Sequence, residues 1–252
     1  EKLARTGKTV AEVVPPTVEI AKQAAGDQAL VALDLGPIGQ LLEPTGTLHF
    51  EDAVNIFKEV VRAGVQAGAD LIFIETMTDL QETRAAVLAA KECCDLPILA
   101  SMTYEANGRT FLGCDVASCA LTLEGLGVDA IGVNCSLGPG QMEPMALDFL
   151  KWSTLPVLIK PNAGLPDPET GGYDITLEEF AQSLARLVDA GVKLVGGCCG
   201  TTPEYIRLLA QAVSDRTVPN LPRTVPAAVC SGTQTVPIDR VRVIGERLNP
   251  TG

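Results

Sequence analysis

Short apolar, β-branched runs recur along this chain, each closed by Gly, Pro, Asn or Asp and each followed by a stretch of helical periodicity. Such alternation leaves few folds open, because parallel strands linked through helices must be covered on both faces. Six runs read as strands, at residues 29–35, 70–75, 97–103, 130–135, 156–161 and 193–198. Between the first two, Val54, Phe57, Val61 and Val65 recur three to four apart and form one apolar helical stripe. Asp79 is placed to cap the next helix, with Glu82 at the capping-box position, and Thr176 with Glu179 repeats the pattern. Ala67-Gly68-Ala69-Asp70, Leu126-Gly127-Val128-Asp129 and Ala190-Gly191-Val192-Lys193 each put Gly at a helix C-terminus just before a strand.

Repeated βα units without a visible break in strand order predict an α/β protein of the (β/α)8 TIM-barrel type rather than a doubly wound sheet. Only about six units are present, and two more would need about 70 residues. The expectation is therefore an incomplete barrel whose first two units are missing, with the chain opening inside the second unit. Residues 1–215 are assigned to this partial barrel. Residues 216–240, rich in Pro and Thr and aperiodic, are assigned to a linker, and residues 241–252 to the first strand and loop of a following domain. Open barrel edges would offer a route to oligomers through strand pairing.

Charge narrows the partners. With 19 Lys+Arg against 31 Asp+Glu, the net charge of −12 and the lack of a basic cluster argue against nucleic acid. No apolar run approaches the roughly 20 residues of a membrane span and no signal-peptide core follows the N-terminus, which reads as a cytoplasmic chain. The eight cysteines then belong to a reducing compartment, and the adjacent pairs Cys93-Cys94 and Cys198-Cys199 do not suit a secreted disulfide framework.

Barrel geometry sorts those cysteines, because active sites are built at the C-terminal ends of the strands. Cys135 and Cys198-Cys199 fall at strand ends and can converge. Cys93 and Cys94 follow a helix, Cys114 and Cys119 lie in a loop and helix start, and Cys230 is in the linker. Three converging thiolates suggest zinc with three protein ligands and one open position, as in catalytic sites. Neighbouring strand residues point to opposite faces, so Cys198 and Cys199 reach one metal only through a sharp turn, which Gly196, Gly197 and Gly200 permit. Thr201-Thr202-Pro203-Glu204 then starts a helix. The alternatives are three small core residues, or a strained vicinal disulfide. Other features read as ordinary: His49 as surface polar, Gly36-Pro37-Ile38-Gly39 as a turn, and Phe149 with Trp152 as core.

Gly132-Val133-Asn134-Cys135-Ser136-Leu137-Gly138-Pro139 and Gly196-Gly197-Cys198-Cys199-Gly200-Thr201-Thr202-Pro203-Glu204 resemble the zinc-binding motifs of the homocysteine S-methyltransferases. Phe73-Ile74-Glu75-Thr76-Met77-Thr78-Asp79 and Pro161-Asn162-Ala163-Gly164 also match, so the resemblance covers about residues 1–212. It is strongest to the homocysteine-binding domain of the cobalamin-dependent methionine synthases. The tail Gly245-Glu246-Arg247-Leu248-Asn249-Pro250-Thr251-Gly252 resembles the opening of the pterin-binding domain that follows there.

The resemblance implies that Cys135, Cys198 and Cys199 bind Zn2+ and that homocysteine takes the open position. The activated thiolate would attack a methyl group on cobalamin held by another domain or protein. It implies Glu75 as partner of the substrate α-ammonium, and Asn134 and Asn162 as further substrate-binding residues. Asn162 is placed to fill the fourth position of zinc or to orient the substrate, although Asn before Ala-Gly is also plain turn chemistry. The family's Asp-Gly-Ala-Met-Gly-Thr-like motif, which helps hold homocysteine, is absent from this sequence. Alternatives are a family member using S-methylmethionine or betaine as donor, or an inactive fragment with structural cysteines.

Overall fold

A computed structural model describes residues 2–166, 169, 172–219 and 222–243. Helices α1 (Lys2–Thr6) and α2 (Val10–Ala25) precede β1 (Ala32–Leu35). The chain then alternates through α3 (Phe50–Gln66), β2 (Leu71–Met77), α4 (Leu80–Cys93), β3 (Ile98–Met102), α5 (Val116–Gly125) and β4 (Ala130–Asn134). It continues through α6 (Pro139–Trp152), β5 (Val157–Lys160), α7 (Leu177–Ala190), β6 (Leu194–Val195) and α8 (Pro203–Val213). The six strands pair in parallel in the order β1-β2-β3-β4-β5-β6. No strand order reverses, which is the wall of a (β/α)8 barrel and not a doubly wound sheet. Six of the eight strands are present among the described residues, and β1 and β6 are the edges of the wall.

The two-residue period of a strand divides this wall into two chemistries. Leu33, Leu35, Ile72, Ile74, Ile98, Ala100, Met102, Ile131, Val133, Val157 and Ile159 join the helices in one apolar core. That core includes Val54, Phe57 and Val61 of the stripe on α3, and Phe149 and Trp152 of α6. The alternate positions face inwards, and towards the C-terminal ends they become polar: Asp34, Glu75, Ser101, Asn134 and Lys160. Gly132 shows how tightly the wall is drawn at β4, since a Cβ there would lie 1.7 Å from the Leu158 carbonyl oxygen of β5.

Local signals end the elements much as expected, with three differences. Asp79 caps α4 by accepting from the Gln81 N–H at 2.8 Å, but Glu82 does not complete the box, and Thr176 likewise caps α7 by accepting from the Glu179 N–H at 3.2 Å without the reciprocal bond. The Glu82 carboxylate instead accepts from the Ile38 N–H at 2.6 Å, tying the loop after β1 to α4. The sixth strand is shorter than the run 193–198. Only Leu194 and Val195 are strand, yet the Gly196 and Cys198 N–H groups still donate to the Ile159 and Pro161 carbonyls at 3.1 and 2.9 Å, so the segment keeps tracking β5.

The third difference is in the aperiodic stretch, where β7 (Ala228–Cys230) and β8 (Thr235–Pro237) form an antiparallel hairpin. The hairpin is tied to the barrel by a 2.9 Å contact between the Ser118 and Thr235 hydroxyls and by Arg109 Nη1 donating to the Thr233 carbonyl at 3.0 Å. Strands of three residues are too short for alternation to register in sequence. Residues 241–243 have no regular structure, and the rest of the expected strand and loop lies outside the described residues.

Candidate functional site

The thiols of Cys135, Cys198 and Cys199 converge at the C-terminal mouth, where their sulfurs lie within 4.8 Å of one another. Cys135 follows β4 with φ of 62°, and Ser136 follows at 68°. Two consecutive non-glycine residues in the left-handed region are costly, and such strain is kept where the surrounding structure enforces it. Here the Cys135 N–H donates to the Lys160 carbonyl at 3.0 Å and the Leu137 N–H to the Cys135 carbonyl at 2.8 Å, turning the chain immediately after the strand.

The Cys198-Cys199 pair solves its own geometric problem by a turn. The Thr201 N–H and hydroxyl both donate to the Cys198 carbonyl, at 3.2 and 2.7 Å, and Gly200 takes φ of 78°. A side chain at Gly200 is also barred by space, because a Cβ would come 2.4 Å from the Tyr173 ring. Pro203 then opens α8. The turn places both sulfurs of the adjacent cysteines beside Cys135.

Two asparagines hold this arrangement. Asn134, fully buried, accepts from the Thr76 N–H at 2.9 Å and the Ser101 hydroxyl at 2.7 Å, and its Nδ2 donates to the Thr76 hydroxyl at 2.8 Å. The same Nδ2 points a weaker bond at Cys198 Sγ, 3.8 Å away. Its side chain thus links β2, β3 and β4 to one thiol. Asn162, also buried, accepts from the Cys199 N–H at 3.1 Å and fixes the backbone of the second turn.

Cys135 Sγ lies 3.7 Å from Cys199 Sγ. That spacing is too long for a disulfide and close to the roughly 3.8 Å expected between thiolates sharing a tetrahedral zinc ion with arms of about 2.3 Å. A thiol hydrogen bond from Cys198 lowers the Cys135 thiol to about 7 against its partial burial. The Cys198 thiol is pushed far up, first by that same bond and then by burial. Three crowded sulfurs with one thiol already drawn towards its thiolate are the condition that a soft divalent cation relieves, and the donor set fits such an ion.

On the inner face of the wall, Lys160 Nζ meets Glu75 Oε2 at 2.5 Å, across from β5 to β2, and lies 4.5 Å from the centre of the Phe73 ring. Asp34 stands on the same face, its carboxyl raised to about 6 by partial removal from water and by Glu75, with Lys160 opposing.

The sequence profile of the homocysteine S-methyltransferase family matches residues 1–213. The chain belongs to the homocysteine S-methyltransferase family. It is 34% identical over 229 residues to a methionine synthase of Mycobacterium tuberculosis and 35% identical over 234 residues to one of Mycobacterium leprae. Each match covers 86% of this chain and 19% of the relative, so the chain spans about a fifth of the length of the curated relatives it matches. Its fold matches the metallated form of the homocysteine methyltransferase MmuM of Escherichia coli with a TM-score of 0.70 at 24% identity, over 83% of this chain and 74% of that one.

Within this family member the structure brings together Cys135, Cys198, Cys199, Asn134 and Asn162, while Glu75 stands in the barrel interior with Lys160. Cys93 ends α4 and Cys94 caps it, and Cys230 is on the hairpin. His49 is exposed, its ring 2.8 Å from the Glu43 carboxylate. Sequence reasoning passed over Asp34, Ser101, Thr76 and Lys160. The available signal was a charge inside an otherwise apolar strand, as at Asp34 in Ala32-Leu33-Asp34-Leu35 and Lys160 at the end of Val157-Leu158-Ile159.

Proposed function

We propose that Cys135, Cys198 and Cys199 hold a zinc ion and that this chain is the homocysteine-binding part of a cobalamin-dependent methionine synthase. The observation that carries the reading is the convergence of three sulfurs within 4.8 Å at the mouth of a barrel belonging to this family. Zinc held by three thiolates would supply an open position at which a substrate thiol loses its proton at neutral pH. The three cysteines place net negative charge around that position, which keeps a bound sulfur electron-rich. Asn134 steadies Cys198, Asn162 steadies the Cys199 backbone, and both frame the space in which substrate sits. Glu75 is the partner of the substrate α-ammonium.

The methyl group would come from cobalamin carried by another domain or protein. Methionine synthase relatives at 34% and 35% identity support this donor over S-methylmethionine or betaine. In the same reading, residues 1–215 are the zinc barrel, 216–240 a linker that carries the docked hairpin, and 241–252 the start of a pterin-binding domain. The protein would act in the cytoplasm, where a reducing environment keeps the three thiols available.

Zinc per chain after purification under reducing conditions is the direct test, and a value near one is expected. Homocysteine added to the loaded protein should bind and release a proton, seen by isothermal titration in two buffers of different ionisation enthalpy. Binding without proton release would overturn thiolate activation.

A further inference from the structure

The inner face of the barrel holds two carboxylates for one ammonium. Asp34 and Glu75 come from β1 and β2, and Lys160 from β5 is the one cation among the inward strand positions of the described residues. The Glu75 and Lys160 side chains retain only 18% and 24% of their exposure, so an ion lost from this pair would leave its partner poorly solvated. Asp34 makes no hydrogen bond or ion pair among the described residues, which leaves the array one cation short. Lys160 is also anchored to both thiol-bearing segments. Its carbonyl accepts from the Cys135 N–H, and its stem lies against Gly196, where a Cβ would sit 3.2 Å from Lys160 Cγ.

We propose that Lys160 is a specificity-determining residue that receives the α-carboxylate of the substrate, released from Glu75 as the substrate α-ammonium arrives between Glu75 and Asp34. The proposal rests on the functional reading above and names what that site selects: an α-amino acid thiol rather than a thiol or aminothiol in general. A zwitterion brings one charge of each sign, so one internal ion pair is exchanged for two, with Glu75 and Asp34 sharing the one substrate ammonium. The second carboxylate makes the exchange possible, because the array already attracts a cation more strongly than Lys160 alone satisfies. Phe73 under the ammonium keeps Lys160 at the inner wall by a cation–π contact while its partner changes.

The test is isothermal titration of the zinc-loaded, full-length protein with L-homocysteine and with 3-aminopropane-1-thiol, which lacks only the carboxylate. Wild-type protein should bind homocysteine at least about tenfold more tightly. K160M should weaken homocysteine by about that factor, leave the aminothiol at least as tightly bound, since its ammonium no longer displaces a lysine from Glu75, and keep zinc content unchanged. K160R should retain most of the preference. Equal wild-type affinities for the two thiols would overturn the proposal without recourse to any variant, as would a K160M protein that keeps the preference or loses both ligands equally. Failure of wild-type protein to bind either thiol would overturn the functional reading itself, and this inference with it.

Discussion

Two groups of cysteines in this chain are equally close-packed and chemically opposite. Cys114 and Cys119 lie with sulfurs 3.3 Å apart, both buried in the apolar core beside the Tyr104 hydroxyl. Cys135 and Cys199 are 3.7 Å apart at an open mouth, with Cys198 beside them. Burial and the neighbouring Cys114 push the Cys119 thiol well up, whereas the Cys198 thiol draws Cys135 down to about 7. Among the described residues no side-chain amide donates to the core pair, and Tyr104 Oη itself has no hydrogen-bond partner. The mouth cluster is steadied by Asn134 and Asn162 and carries left-handed backbone at Cys135 and Ser136. Proximity of sulfur is therefore a weak sign of metal chemistry, while a third sulfur, access from solvent and polar groups that orient the ligands are strong ones.

The comparison can be broken most directly with metal. Cys198→Ser should weaken zinc retention by more than about 100-fold, since loss of a ligand exceeds the effect of a supporting residue. Cys119→Ala and Cys93→Ser should leave zinc at one per chain. Competition with a chromogenic chelator measures all three, and equal losses would erase the distinction between the groups.

Supporting residues should divide the same way. Asn134→Ala strands the Thr76 N–H and the Ser101 hydroxyl, so it should cost about 2–4 kcal/mol in urea unfolding. It should also lower zinc affinity about 10- to 100-fold. Tyr104→Phe removes a hydroxyl without a partner and should be neutral or stabilising by about 1 kcal/mol.

Alkylation sharpens the contrast further. In metal-free protein Cys135 forms its thiolate around pH 7, so its labelling by iodoacetamide should rise several-fold between about pH 6 and pH 8. Cys119 should stay unlabelled across that range until the protein unfolds, and zinc should protect Cys135 without protecting exposed Cys230. Mass spectrometry of labelled peptides gives each rate.

Glu82 is a buried carboxyl outside both groups, and its effect is confined to the pH dependence of stability. Burial, with a contribution from Asp79, raises it from 4.5 to about 7, against the Ile38 N–H that favours the ionised form. Because the folded value is the higher one, the folded state binds the extra proton between these values, and stability falls as pH rises from about 4.5 to 7. Glu82→Gln keeps an acceptor for Ile38 and should remove that fall, a gain of at most about 3 kcal/mol above pH 7. Unfolding midpoints at pH 5 and pH 8 for both proteins measure it.

The architecture was legible because its signals are local and repeated. Each strand is a short apolar run, each helix shows a stripe or a cap, and βα alternation admits few arrangements of them. The thiol cluster was legible because barrel geometry sends strand ends to one place, which singled out Cys135, Cys198 and Cys199 from eight cysteines. The hairpin at Ala228–Pro237 was not, since three-residue strands carry no period. Glu82 was misassigned because a capping-box spacing says which backbone groups are near in sequence. It says nothing of a loop 44 residues away that competes for the carboxylate.

By itself, then, the sequence determined the order of elements, the face each presents to the core and which three of the eight cysteines converge at the mouth. All of these follow from periodicity and from the chemistry of single residues. Only the tertiary structure decided that Asn134 spends its amide on β2, β3 and a thiol, and that Cys114 and Cys119 meet without consequence. It alone paired Lys160 with Glu75 across the barrel, 85 residues apart in the chain. Such partnerships are set by where closure of the wall brings distant side chains together, and by which of them remain shielded from water once it has closed.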